Sequence, residues 1–82
     1  LERAARRGLP EAQYTLGRRY ADGAGVEQSW EDAVEWWDRS AKNRNEDAQF
    51  DLGCCYEFGK GVEQSWEKAF EWYEKSASRS TQ

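Results

Sequence analysis

Gly25-Val26-Glu27-Gln28-Ser29-Trp30-Glu31 and Gly61-Val62-Glu63-Gln64-Ser65-Trp66-Glu67 are the same seven residues, 36 positions apart. The match spreads outward without a gap: 18 of the 36 positions of Gly8–Asn43 are identical to their partners in Arg44–Arg79. A fixed period of this length marks a stacked-repeat architecture, in which one supersecondary unit recurs. Leu1–Arg7 fits the same frame, with Arg3, Ala5 and Arg6 aligned to Arg39, Ala41 and Lys42. The chain therefore reads as the closing half-helix of a preceding unit (1–7), two full units (8–43 and 44–79) and a short polar tail (80–82), with fraying expected from Ser76 onward.

Each unit reads as two helices. Ala12, Leu16 and Tyr20 recur at i, i+4 and i+8, which is one helical face, and Ala48, Leu52 and Tyr56 repeat it. Pro10 suits a first turn, where its missing N–H costs nothing. Gly23 and Gly59 close the first helix, because glycine takes the left-handed cap without steric cost. Gly23-Ala24-Gly25 and Gly59-Lys60-Gly61 are then turns; a phosphate loop would need a preceding strand and a further Gly or Lys-Ser/Thr. Ser29 and Ser65 are placed to cap the second helix. Its stripe is Trp30, Ala33, Trp37 and Ala41 in one unit, and Trp66, Ala69, Tyr73 and Ala77 in the other. Glu35–Arg39 and Glu71–Lys75 are spaced for i,i+4 ion pairs on a solvated face.

One helix pair cannot cover both of its own stripes, so each unit needs a neighbour to close the core. Gly17 and Gly53, in mid-helix, each cost about 1 kcal/mol relative to Ala. That cost at the same place in both units implies a contact too close for a Cβ. The Trp and Tyr stripes are accordingly expected to be core rather than a cofactor box.

Composition narrows the function. The 82 residues carry 12 basic and 16 acidic side chains, a net charge of -4, split evenly between the two halves of the chain. A nucleic-acid binder needs a basic face to displace counterions, and none is concentrated here. Apolar runs are too short to span a bilayer. Cys54 and Cys55 are adjacent, about 100° apart on a helix, and so poorly placed to bridge each other. They read as reduced thiols, which favours a reducing compartment such as the cytoplasm; the alternative is a redox or metal role. With no His in the chain, a zinc site lacks ligands. No cofactor is called for, and no nucleophile stands beside an evident base.

The pattern Ala-Gln-Tyr-x-Leu-Gly-x-x-Tyr-x-x-Gly-x-Gly-Val at 12–26, continued by Trp30, Ala33, Trp36, Trp37 and Ser40-Ala41, resembles a Sel1-like repeat, a relative of the tetratricopeptide repeat. The second unit matches equally well. The resemblance implies an all-α fold: an α-solenoid of antiparallel helix pairs in a right-handed superhelix. It also implies an adaptor or scaffold role toward a protein or peptide segment. A purely structural spacer, stacking on further repeats or another copy, is the alternative. Some secreted members of the family are cysteine-rich, with a disulfide in each unit, and are linked to penicillin binding and β-lactam hydrolysis. This chain departs from them, because Arg18 and Arg19 stand where Cys54 and Cys55 do.

In such stacks the first helix of each pair lines the concave side. Matching Leu16-Gly17 and Tyr20 to the related tetratricopeptide motif gives groove positions Glu11, Tyr14, Arg18, Ala21 and Asp22. In the second unit they are Asp47, Phe50, Cys54, Glu57 and Phe58. Arg18 is suited to a carboxylate, and Phe50 and Phe58 to apolar contact. Tyr14 and Phe50 can equally be read as packing residues.

Overall fold

The computed structural model describes residues 1–80. Among them there are five helices and no strand: α1 (Glu2–Arg6), α2 (Pro10–Asp22), α3 (Trp30–Lys42), α4 (Glu46–Phe58) and α5 (Trp66–Ser80). The tail expected at 80–82 starts at the last helical residue, and 81–82 lie outside the described residues.

The helix ends follow from local chemistry. Pro10 opens α2, and Gly23 (φ 70°) and Gly59 (φ 67°) end α2 and α4 in the left-handed conformation. Ser29 Oγ accepts from Asp32 N at 3.1 Å, and Ser65 Oγ accepts from Lys68 N at 3.2 Å. Asn45 adds a cap that the hydrophobic pattern did not reveal: its side chain accepts from Ala48 N at 2.8 Å. Each turn is tied back to its helix, with Ser29 N donating to the Tyr20 carbonyl and Ser65 N to the Tyr56 carbonyl, both at 2.9 Å.

α2 packs on α3 and α4 on α5 as two hairpins; α3 also packs on α4, and α1 on α2. The main core runs through both hairpins: Ala33, Val34, Trp37, Ala41, Ala48, Leu52 and Cys55 are buried together. A smaller cluster joins Ala5, Leu16 and Trp36, and Tyr20 packs against both. The glycine argument holds. A Cβ on Gly17 would come within 2.5 Å of the Trp37 ring, and one on Gly53 within 2.7 Å of the Tyr73 ring.

Buried polar groups repeat with the same period. Gln13 Nε2 donates to the Ala5 carbonyl at 3.1 Å, and Gln49 Nε2 to the Ala41 carbonyl at 3.2 Å. Ser40 Oγ donates to the Pro10 carbonyl at 2.7 Å, and Ser76 Oγ to the Glu46 carbonyl at 3.3 Å. These bonds hold each hairpin closed and fix where one helix meets the next.

Two expectations need correction. The aromatic stripe of α5 is not core: Trp66 is 67% exposed and Ala77 is exposed, while Ala69 is buried. Among the described residues none packs over this part of α5 as the second hairpin packs over α3. Glu35–Arg39 forms its ion pair at 2.9 Å, but among the described residues Glu71–Lys75 forms none, and Lys75 lies over the Trp72 ring, 4.6 Å from its centroid. Arg39 lies over Trp36 in the same way, at 4.7 Å. The flat ring draws the cation as effectively as an exposed carboxylate does.

Candidate protein-interaction site

α2 and α4, the first helices of the two hairpins, are joined by a side-chain hydrogen bond. Tyr14 Oη donates to Asp51 Oδ2 at 2.8 Å. Burial pushes the Tyr14 hydroxyl up to about 12, with the Asp51 carboxylate adding to the effect. Burial also raises the Asp51 carboxyl above its usual range, while the Tyr14 bond and the Arg18 charge pull it back.

This bond divides the surface. On one side is a cavity of about 280 Å³ at the seam between the hairpins. Arg18, Ala21, Asp22, Cys54 and Phe58, five of the residues predicted from sequence, meet around it. Its apolar wall comes from Trp30, Trp37 and Phe58, and Phe58 is 66% exposed. Lys60 Nζ sits 4.7 Å from the centroid of the Trp30 ring, so a second cation stands near Arg18 at the rim.

The remaining predicted residues go elsewhere. Glu11 and Asp47 flank a separate polar recess with Asn43, Arg44 and Asn45. Phe50 leans on Tyr73, ring centroids 5.3 Å apart. Glu57 Oε1 accepts from the Tyr73 hydroxyl at 2.6 Å, with Cys54 Sγ 3.2 Å from the same oxygen. Burial, followed by these two contacts, raises the Tyr73 hydroxyl strongly. Phe50 and Glu57 thus face the outer end of the stack rather than the cavity.

Trp30, Trp37, Asp51 and Lys60 also line the cavity and were missed from sequence. Lys60 was findable, being the charged residue of a turn that directly follows a groove helix. The tryptophans were assigned to core alone, yet a ring at a seam serves both purposes. Trp37 shows this: its Nε1 donates to the Tyr14 carbonyl at 3.1 Å while its ring stacks near Tyr14.

Cys54 and Cys55 are free thiols, and burial pushes Cys55 up to about 12, away from the reactive thiolate. Among the described residues no cluster of His, Cys, Asp or Glu is arranged to hold a metal ion. No described helix is long and apolar enough to cross a membrane.

Stacked antiparallel helix hairpins with a shared core define an α-solenoid. The Sel1 repeat model matches twice in succession, at residues 10–45 and 46–80, and the chain belongs to the Sel1 repeat family. It is similar to a Sel1 repeat protein of Oxalobacter formigenes, with a TM-score of 0.93 and 42% identity over 95% of this chain and 23% of that one. It is also similar to c5321, a protective antigen of uropathogenic Escherichia coli strains with an SLR fold: TM-score 0.93, 36% identity, 95% of this chain and 17% of that one. Among curated proteins it is 44% identical over 43 residues to the chitin synthase regulator SKT5 of Saccharomyces cerevisiae, covering 52% of this chain and 6% of the relative. The chain therefore spans a small part of each relative's length. Sel1 repeats are in general protein–protein interaction modules.

Proposed function

We propose that the face formed by α2 and α4 holds an extended or helical segment of a partner protein, making the chain an adaptor or scaffold element. The observation that carries this reading is Phe58, a large apolar ring exposed at the mouth of a cavity whose rim also holds Arg18 and Lys60. An exposed aromatic beside a pocket and a cation is the composition of a binding hot spot. A segment with an apolar side chain for the cavity and a carboxylate for the rim fits it. The name of the yeast relative, a regulator, is in keeping with work done by contact. Two hairpins offer a small area, so affinity is expected to sit at the weak end of specific interfaces.

A pull-down with tagged chain, repeated with Arg18→Ala and Phe58→Ala, tests the assignment. Both side chains are exposed, so the variants keep their fold. Each is expected to reduce partner recovery about tenfold. Full recovery with both changes combined overturns the groove as the binding site.

A further inference from the structure

The seam between the two hairpins shows what the outer side of a unit demands. Trp30 and Val34 of α3 are covered there by the Gly59–Val62 turn of the second unit, and Val34 is 9% exposed. The fit is close: a Cβ on Gly61 would stand 2.5 Å from the Trp30 carbonyl oxygen and 3.0 Å from Val34 Cγ2. Val62 packs into the adjoining core, and Lys60 lies over the Trp30 ring.

Both halves of this seam recur, uncovered, at opposite ends of the molecule. Trp66 and Phe70 occupy the register of Trp30 and Val34, and Phe70 is 65% exposed. Gly23–Val26 occupies the register of Gly59–Val62, and a Cβ on Gly25 would meet no atom within 4 Å. One end thus carries the ring surface and the other the glycine turn that covers it.

We propose that the chain binds a second copy of itself head to tail, seating Trp66 and Phe70 of one copy on the Gly23–Val26 turn of the next. Continuity with the seam already inside the molecule selects this occupant, because the same residues in the same register meet there. The contact is heterologous, so it leaves a free turn and a free ring surface and can extend. It differs from the α2–α4 groove and stands independently of that reading.

The register also assigns α1 a part. Residues 2–6 align with 38–42 of α3 and with 74–78 of α5, and Ala5 receives from Gln13 the bond that Ala41 receives from Gln49. α1 therefore sits where the closing turns of α5 from another copy have to land. It must swing off for the seam to form, and the fraction of time it is seated lowers the apparent affinity. Two contacts of the internal seam are also missing at the copy-to-copy seam. Ala24 stands in place of Lys60, and Phe50 and Thr15 in place of Tyr14 and Asp51.

Sedimentation of the full chain at concentrations up to about 1 mM tests this. The expected result is a mass that climbs in multiples of 9.6 kDa. Phe70→Glu removes the ring surface, and Gly25→Asn blocks the turn with a residue that tolerates its φ of +79°. Both changes lie in open positions, so circular dichroism should be that of the parent. Each variant alone is expected to be monomeric, and mixing the two should restore a one-to-one dimer that grows no further. Ala24→Lys should tighten association by restoring a cation over the ring. Ala5→Glu should tighten it about threefold by unseating α1. A chain that stays monomeric throughout overturns the proposal. So does a Gly25→Asn variant that still dimerises, which would mean two ring surfaces meeting face to face. Unchanged association in Ala5→Glu overturns the part given to α1.

Discussion

The two hairpins share half their residues and almost all of their backbone bonds, yet their tryptophans live in different surroundings. Trp30 is half-buried under the following turn, and Trp66, its counterpart, faces water. The second pair differs in substance as well. Trp37 is buried at the centre of the main core, whereas its counterpart Tyr73 lies nearer the surface and spends its hydroxyl on Glu57. The comparison teaches that burial in a repeat protein belongs to the seam and not to the residue. The same side chain is core or surface according to whether another unit follows.

The strongest way to break this comparison is to truncate the matched ring in each unit. Trp37→Ala is expected to cost about 3–5 kcal/mol, the usual loss for a large buried ring. That is comparable to the whole stability of a domain this small. Tyr73→Ala should cost about half as much. Urea melts followed by circular dichroism measure both, and equal losses would mean that the two hairpins are equally packed.

Next come the matched glycines. Gly17→Ala drives a methyl group into the buried Trp37 ring, and overpacking of about 1–3 kcal/mol outweighs the roughly 1 kcal/mol gained in helix propensity. Gly53→Ala meets Tyr73, which can shift outward, although the Ala69 carbonyl 3.2 Å away limits the gain. The second change is expected to be near neutral in the same melts. A larger loss at Gly53 than at Gly17 would reverse the assignment of the tighter seam.

The smallest expected effect is on pH dependence. Tyr14 keeps its proton to about 12 in the folded chain, above its ordinary 10.0. Its folded value is raised, so its contribution is whole below pH 10 and is lost as pH rises toward 12. Tyr73 is raised in the same direction. Stability should therefore fall between pH 10 and about 12, and less steeply in Tyr14→Phe. Phenolate absorbance at 295 nm should lose a step near pH 12 in Tyr14→Phe. A lost step near the ordinary 10.0 would show that burial does not protect Tyr14.

Period, helix order, the Ser29 and Ser65 caps, the glycine helix ends and the close glycine contacts were legible in the sequence, because each is set by spacing within one unit. Two helix starts were less visible. α2 opens from Leu9 without a side-chain cap, and α4 follows Arg44, which adopts a φ of +71° where the first unit has Gly8. Only the repeat register marks that position, since Arg seldom pays for such a backbone. The candidate site was half legible. Counting along the first helix of each pair finds Arg18, Asp22, Cys54 and Phe58, but it cannot tell that Glu57 and Phe50 turn to the outer end. That depends on Tyr73, which reaches them from another helix. Trp30 belongs to the site through its contact with Lys60 across the seam, which no pattern within one unit contains.

The Tyr14–Asp51 hydrogen bond links the first helix of one hairpin to the first helix of the next. A hydroxyl held on a half-buried carboxylate resists both splaying and sliding, so it acts as a detent for the angle between successive hairpins. Phe50 has no hydroxyl to offer in the same register. A stack built from these units would be stiff at one joint and compliant at the next, bending where the phenylalanine stands.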